Sequence, residues 1–243
     1  MKLKKSAVHL VLLMTMALLL TGRNARAEGA SSSADVLVSL NGKRIGVQTG
    51  THYDKTVGEL FPDAEVEYFN TKADEVAALT GNKIDAFLLE KVVAEVLVRE
   101  NDQVTYLPVN LYQCEVGMVF PKIESGEALR DQFNEFIRQL PGGVLPDLAE
   151  KWFGEDENAK TMPDISSLSA ENGTLHVATE AAYEPFEYVR DGKIVGFDIE
   201  LSAMFCEAYG YGLEIQDMRF DSVFPSVETG KCDFAAAGLI ITA

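Results

Sequence analysis

The sequence predicts an α/β fold built in two parts. From Leu40 onward, short apolar segments typical of strands alternate with segments of helical periodicity. An acidic stretch rich in Ser and turn residues, 155–172, interrupts this alternation, and a second alternating run begins at His176. Such alternation is typical of α/β folds whose sheets are mainly parallel.

The elements of the first run follow from hydrophobic pattern and from cap and turn signals. Thr71-Lys72-Ala73-Asp74 resembles a capping box and predicts a helix through Leu79. Pro141-Gly142-Gly143 separates two later helices. The predicted strands are 44–47, 65–69, 84–89, 104–107 and 116–120, and the predicted helices are 51–60, 71–79, 92–98, 129–140 and 145–153.

The second run has fewer elements. Its predicted strands are 176–179, 213–218 and 233–241, and its predicted helices are 197–209 and 222–228. The sequence stops at Ala243 directly after an apolar strand, which predicts a chain cut short within a longer protein.

Residues 1–27 are predicted to be an export signal that lies outside the fold. Three Lys among the first five residues precede an apolar stretch, 7–20, and Ala25-Arg26-Ala27 offers a small-x-small pattern for cleavage near Ala27. The apolar stretch is shorter than the roughly 20 residues that span a bilayer, although an uncleaved anchor is the alternative. Arg23 stands where a lipoprotein would carry its acylated Cys, so we expect no lipidation. Residues 28–38 are a predicted tether.

Charge and cysteine usage exclude several classes of partner. Removal of the export segment, which has five Lys and Arg and no acid, takes the formal net charge from −17 to −22. Such a charge argues against a nucleic-acid partner and against an anionic membrane surface. Cys114, Cys206 and Cys232 lie in apolar runs and are expected to be buried. Neither a metal site nor a cofactor is predicted, because no Cys-x-x-Cys or Cys/His cluster exists.

Two blocks of sequence carry a family resemblance. The first block contains Gly173–Phe186, Gly192–Leu201, Phe220–Pro225 and Gly230–Gly238, and the second contains Leu40–Thr51, Gly81–Glu90 and Glu150–Gly154. Both resemble the polar-amino-acid branch of bacterial extracellular solute-binding proteins, family 3, which serve ABC importers. The resemblance implies a periplasmic-binding-protein-like (type II) two-lobe Venus-flytrap architecture. It also implies an exported protein that captures a small polar amino acid for the permease of an ABC transporter.

The order of the blocks departs from the family. In relatives, the block resembling 173–243 comes first and builds most of lobe 1, lobe 2 resembles 39–121, and the stretch resembling 122–154 returns to lobe 1. Here lobe 2 comes first and 155–172 is a predicted linker, so the architecture is incomplete or permuted. A truncated tandem protein and a circular permutant are both possible. Truncation is favoured because the family's next segment, with its carboxylate-binding Arg and first hinge strand, is absent.

The resemblance implies ligand contacts from the second block. The turn Gly50-Thr51-His52 follows a strand and opens a helix, so its backbone N–H groups would face the ligand carboxylate. An ordinary strand-to-helix turn is the alternative. Glu90 ends a buried strand where relatives usually place Asp, and it would accept the ligand ammonium. Its extra methylene changes that geometry.

The first block supplies the remaining contacts. Tyr183 and Phe220 match the aromatic pair that packs on the ligand side chain, with core packing as the alternative. Glu180 matches an acid that reads a polar or cationic ligand side chain, and Asp198 lies near the site in relatives. Together with Glu90, these acids favour a ligand with extra positive charge. The strand end supplies backbone and hydroxyl groups at Ala237, Gly238 and Thr242.

Two departures from the family predict weak or no binding by this chain alone. Ile240 replaces a Ser or Thr of relatives, and the carboxylate-binding Arg is missing. No catalytic residue is predicted, because three His at 9, 52 and 176 form no evident Ser/His/Asp set. Two other functions stay open. One is an exported cyclohexadienyl-dehydratase-like enzyme that uses Glu90 or Glu180 as an acid, and the other is the sensor domain of a membrane receptor.

Overall fold

The computed structural model describes residues 10–21, 38–107, 111 and 113–241. These residues form two compact units. The first unit contains the described residues up to Leu12, Glu115–Met218 and the described residues from Ser222 onward, and the second contains the described residues between Leu13 and Cys114 together with Arg219–Asp221.

The second unit is a mixed sheet with helices between its parallel strands. Its strands are β1 (Leu10–Thr21), β2 (Arg44–Gln48), β3 (Glu65–Phe69), β4 (Ala86–Glu90) and β5 (Val104–Leu107), and its helices are α1 (Tyr53–Leu60), α2 (Lys72–Thr80) and α3 (Lys91–Glu100). The strand order is β3-β2-β4-β1-β5, with β2 parallel to both β3 and β4. Ile45, Val47 and Phe87 are fully buried in its core.

Helix α2 begins as its sequence predicts. Thr71 is the N-cap, and its side chain accepts a hydrogen bond from the Asp74 N–H at 3.1 Å. The Thr71 hydroxyl also donates to the Asp74 carboxylate at 2.8 Å. These bonds satisfy an otherwise unpaired N–H of the first turn, which confirms the predicted cap.

Strand β1 lies within the predicted export signal, residues 1–27, and the export prediction stays a prediction. The strand runs antiparallel between β4 and β5, with Leu18 the partner of both Leu88 and Leu107. In the strand order, β5 lies next to β1. An apolar extended segment inserted there satisfies backbone groups of both neighbouring strands, which is the physical reason for its position. Cleavage near Ala27 stays a prediction, and Ala27 and residues 28–37 of the predicted tether lie outside the described residues.

The first unit begins near β6 (Gln113–Val116) and contains two small sheets. Its strands are β7 (Thr174–Thr179), β8 (Ala182–Tyr183), β9 (Glu187–Arg190), β10 (Lys193–Val195), β11 (Gly212–Asp217) and β12 (Phe234–Ala235), and its helices are α4 (Glu124–Gln139), α5 (Val144–Phe153), α6 (Phe197–Ala208) and α7 (Phe220–Glu228). One sheet is parallel, in the order β11-β7-β12, and the other is the antiparallel set β10-β9-β8.

The segment 122–154 packs on the block that follows the linker. Phe133 and Phe136 of α4 contact Phe205 of α6, with ring centroids 5.0 and 5.7 Å apart. On α5, Lys151 Nζ lies 2.7 Å from Glu200 Oε2, and Trp152 Nε1 donates to the same oxygen at 2.6 Å. Segments that are distant in sequence therefore share one core.

The predicted linker is bonded to the same unit. Arg190 of β9 donates to the Lys160 carbonyl at 3.0 Å and also pairs with Glu157. Asn172 N–H donates to the Gly210 carbonyl at 2.9 Å. Residues 155–172 thus follow the surface of the first unit through specific contacts.

Three sequence expectations change in the first unit. The predicted strand 233–241 is paired regularly only over Phe234–Ala235, because Gly238 has φ +57° and turns the chain out of extended geometry. The predicted strand 116–120 is shifted to β6, with an isolated antiparallel bridge between Val119 and Ala235. The hairpin strands β8–β10 were not predicted.

Two further observations concern burial and hydropathy. Cys114, Cys206 and Cys232 are at most 5% exposed, which confirms the expected burial, and burial raises the pKa of Cys206 to about 12. Within the described part of the chain, none of the helices combines the length and apolar character needed to span a bilayer. The prediction of an α/β fold with two lobes is confirmed.

Candidate functional site

Three parallel strands of the first unit end at one edge of their sheet. Glu180 follows β7 directly, and Ala237-Gly238 follows β12. Backbone bonds tie the departing chains together, because Met218 N–H donates to Thr179 O at 2.9 Å and Ala236 N–H donates to Ala178 O at 3.0 Å. The carboxyl edge of a parallel sheet is where ligands bind in open α/β folds.

Tyr183 lies against the backbone of Gly238. A Cβ on Gly238 would be 3.1 Å from both Cδ1 and Cε1 of Tyr183, which is tighter than nearly all real contacts. Gly238 also has φ +57°, so two separate constraints require glycine there. Phe186 stacks on Tyr183 with ring centroids 6.1 Å apart and is fully buried. The structure therefore brings Tyr183 and Gly238 together, while Phe186 belongs to the core.

Asp198 is a buried carboxyl group that contacts the Gly238 backbone. Its Oδ2 accepts the Gly238 N–H at 2.9 Å. Burial raises the pKa of Asp198 to about 7, against the lowering effect of the Gly238 N–H and of Glu187. Asp198 is only 4% exposed, so it supports the Gly238 backbone and presents little carboxylate surface.

The predicted anion turn of the second unit connects β2 to α1. Gly50 has φ +92°, and Thr51 is bonded back into the turn because its N–H and its hydroxyl both donate to Gln48 O, at 3.2 and 2.7 Å. His52 is the N-cap of α1 without a side-chain cap bond. Burial lowers the pKa of His52, so its ring is neutral at pH 7 and adds no positive charge. The Thr51 N–H is thus already engaged within the turn.

Glu90 lies at the end of β4 and is 2% exposed. Tyr53, the first residue of α1, donates its hydroxyl to Glu90 Oε1 at 2.7 Å. This bond offsets part of the free-energy cost of burying the carboxylate. It also places Glu90 beside the turn at residues 50–52, so the structure brings these predicted residues into one region of the second unit.

Phe220 and Thr242 complete the predicted set. Phe220 begins α7, is half-buried and is grouped with the second unit, where its Cδ1 lies 3.5 Å from the position of a Cβ on Gly50. Thr242 lies outside the described residues. Sequence reasoning missed Glu187 and Tyr53, because an acid after Phe186 and an aromatic after a turn have no distinctive pattern. Among the described residues, no group of three or more His, Cys, Asp or Glu could hold a metal ion.

Comparison with known proteins agrees with the resemblance found in the sequence. Residues 175–243 match the model of bacterial extracellular solute-binding proteins, family 3. The chain is 37% identical over 86 residues to the arginine-binding extracellular protein ArtP of Bacillus subtilis (strain 168), covering 35% of this chain and 34% of that protein. It is 28% identical over 137 residues to the L-cystine-binding protein TcyJ of Escherichia coli (strain K12), covering 53% of this chain and 47% of that protein.

These matches cover only part of each protein. The chain spans less than half the length of either relative. A solved structure of an ancestral arginine-binding protein bound to glutamine covers 59% of this chain and 61% of its own, at 21% identity and a TM-score of 0.44. The predicted resemblance is confirmed, in that residues 175–243 are similar to the bacterial extracellular solute-binding proteins, family 3.

Proposed function

We propose that this protein binds a small polar amino acid outside the cytoplasm and delivers it to the permease of an ABC transporter. The observation that supports this proposal is at the edge of the first unit's parallel sheet. There Glu180 follows a strand and Tyr183 lies against the Gly238 backbone, within the segment that matches the family. The role is binding without catalysis. Two proteins with similar sequences are named as an arginine-binding and an L-cystine-binding protein.

Each unit supplies its own proposed ligand-binding residues. In the first unit, Tyr183 is the proposed aromatic contact for the ligand side chain and Glu180 the proposed acid at the same sheet edge, each at 8% exposure. In the second unit, the Gly50-Thr51-His52 turn is the proposed carboxylate site and Glu90 the proposed ammonium site. The remaining proposed contacts are Phe220, Ala237, Gly238 and Thr242.

The structure refines the proposed preference for a cationic ligand. Of the three acids that favoured it, Asp198 accepts a hydrogen bond from Gly238, and Glu90 accepts one from Tyr53. The third acid, Glu180, is 8% exposed at the end of β7. Isothermal titration with arginine, lysine and glutamate measures the preference directly, and heat with glutamate but not with arginine or lysine would contradict it.

Affinity is expected to be weaker than about 1 μM, since Ile240 lacks the hydroxyl found in relatives. Titration of the purified chain with amino acids up to millimolar concentration tests the binding role. Tyr183→Ala should weaken binding roughly 2- to 10-fold, because an aromatic contact contributes about 0.5–1.5 kcal/mol. Tyr68→Ala is the matched control, because Tyr68 is 59% exposed on β3.

The outcomes separate three ideas. Absence of any amino-acid binding at millimolar concentration would refute the proposed function. Submicromolar affinity would refute the weak-binding prediction and keep the function. Conversion of prephenate or arogenate to an aromatic product would replace the binding role with an enzymatic one.

A further inference from the structure

One strand position in the sheet of the second unit is filled by a segment from the start of the chain. Residues 16–19 of β1 pair antiparallel with β4, and residues 18–21 pair antiparallel with β5. Leu18 is opposite Leu88 on one side and Leu107 on the other. The segment therefore joins β4 and β5 through backbone pairing on both of its edges.

Strands β4 and β5 are held one strand apart. Both are antiparallel to β1, so they are parallel to each other, and helix α3 connects them and packs on both. Neighbouring strands lie about 4.8 Å apart, so β4 and β5 lie roughly 9–10 Å apart, beyond the reach of a direct hydrogen bond. Helix α3 begins at Lys91, directly after β4, and residues 101–103 connect it to β5. These short connections fix the spacing.

The position between the two strands has apolar surroundings. With β1 in place, residues 86–89 of β4 are at most 1% exposed, and Val104 of β5 is 3% exposed. An unpaired N–H or C=O group buried in such surroundings costs free energy comparable to a lost hydrogen bond. The position therefore requires an occupant with an extended backbone and apolar side chains.

The segment that fills the position has this chemistry and is also predicted to be removable. Residues 16–21 contain no charged residue, no Gly and no Pro. A Pro would remove an N–H that a central strand needs. The same residues belong to the predicted export signal, so cleavage near Ala27 would separate the occupant from the rest of the chain.

We propose that the position between β4 and β5, named here the β4–β5 slot, is a strand-acceptor site for an extended apolar peptide, and that residues 16–21 are its occupant in the uncut chain. Recognition is by main-chain hydrogen bonds to both neighbouring strands, with apolar side chains as the selective requirement. The proposal concerns the second unit alone and does not rest on amino-acid binding.

The first test cuts the chain between the occupant and the rest of the second unit. A protease recognition sequence is inserted within residues 28–37 of the full chain, the folded protein is cut, and the products are separated by size-exclusion chromatography. The fragment that contains residues 16–21 should elute with the remainder and separate only in urea, because strand pairing holds it after the covalent connection is lost. The uncut protein with the same insertion is the control for folding.

The second test replaces the fragment with a synthetic peptide. A labelled peptide of residues 13–21, with a lysine tag for solubility, should displace the fragment from the cut protein. A Leu18→Pro peptide should bind roughly 5- to 100-fold more weakly, because it leaves a buried backbone acceptor without its N–H. A Leu18→Val peptide is the matched control, since it keeps the N–H and the apolar side chain, and it should bind within about threefold of the original.

Hydrogen exchange followed by mass spectrometry shows whether the slot needs its occupant. If the fragment is removed, the amides of β4 and β5 should exchange at least about tenfold faster than in the uncut protein, and added peptide should restore the slower rate. The amides of β7 are the internal control, because β7 belongs to the first unit, and their exchange should not change.

Three results would overturn the proposal. The first is release of the fragment without urea while β4 and β5 keep the exchange rates of the uncut protein. The second is equal binding of the Leu18→Pro and Leu18→Val peptides, which would show nonspecific apolar adsorption only. The third is elution of the cut protein as a dimer that excludes the peptide, which would assign the slot to a second copy of the chain. A chain that binds no amino acid refutes the proposed function and leaves these results unaffected.

Discussion

Replacement of Phe205 by Ala tests whether segments on either side of the linker share one core. Phe205 is fully buried on α6, and its ring contacts Phe133 and Phe136 of α4, the second at 5.7 Å between centroids. Removal of a buried Phe side chain costs about 3–5 kcal/mol through lost transfer free energy and the cavity that remains. With a urea m-value of about 2 kcal/mol/M, the unfolding midpoint should fall by roughly 1.5–2.5 M.

Tryptophan fluorescence reports this transition from the correct unit. Trp152 is the single Trp of the chain and is fully buried on α5 of the first unit. Val189→Ala is the control, because Val189 is 57% exposed in the same unit. It should change the free energy of unfolding by less than about 0.5 kcal/mol.

A double-mutant cycle makes the result specific. Phe133→Ala combined with Phe205→Ala should reveal a coupling of about 0.5–1.5 kcal/mol for the aromatic pair. A loss below about 1 kcal/mol for Phe205→Ala, together with additive single effects, would show that α4 does not pack on α6 and would refute the shared core.

Three further predictions concern the same chain. Gly196→Ala should lower the free energy of unfolding by more than about 2 kcal/mol, because the new Cβ would lie 2.1 Å from the Phe186 carbonyl oxygen. Gly192 also has a positive φ but has open space around it, so Gly192→Ala should cost less in the same urea titration. Glu200→Ala should cost about 2–4 kcal/mol, since it leaves the buried Trp152 N–H and the half-buried Lys151 ammonium without their acceptor; a change below about 1 kcal/mol would contradict this. Mass spectrometry of the exported protein should find Glu28 at the N-terminus, whereas Ala27→Leu should block that cleavage; an intact N-terminus or incorporation of labelled palmitate in the unmodified protein would show the export prediction to be wrong.

The sequence predicted much of the local structure because local patterns carry it. Thr71 and Asp74 are three residues apart, so the capping box is visible in four letters, and the structure confirms it. The strand Glu65–Phe69 has its predicted bounds for a similar reason, since turn residues limit a short β-rich segment. The hairpin β8–β10 was missed because its strands are only two to four residues long and carry no sustained alternation.

Other features depend on groups far apart in the chain. The chain at Gly196 passes closely against Phe186, and Asp198 accepts the N–H of Gly238, which lies forty residues further along the chain. Glu90 meets Tyr53 across 37 residues. Strand β1 takes its place because β4 and β5 present backbone groups to it, which no pattern within residues 10–21 reveals.

From the sequence alone, the α/β class, most helices and strands and the family resemblance were determined, because periodicity, caps and family motifs are properties of contiguous residues. The tertiary structure alone decided that the buried Asp198 carboxyl group accepts the Gly238 N–H and that residues 10–21 form a strand. Burial, close backbone approach and the raised pKa of a buried carboxyl group arise from contacts between distant segments, so they exist only once the chain has folded.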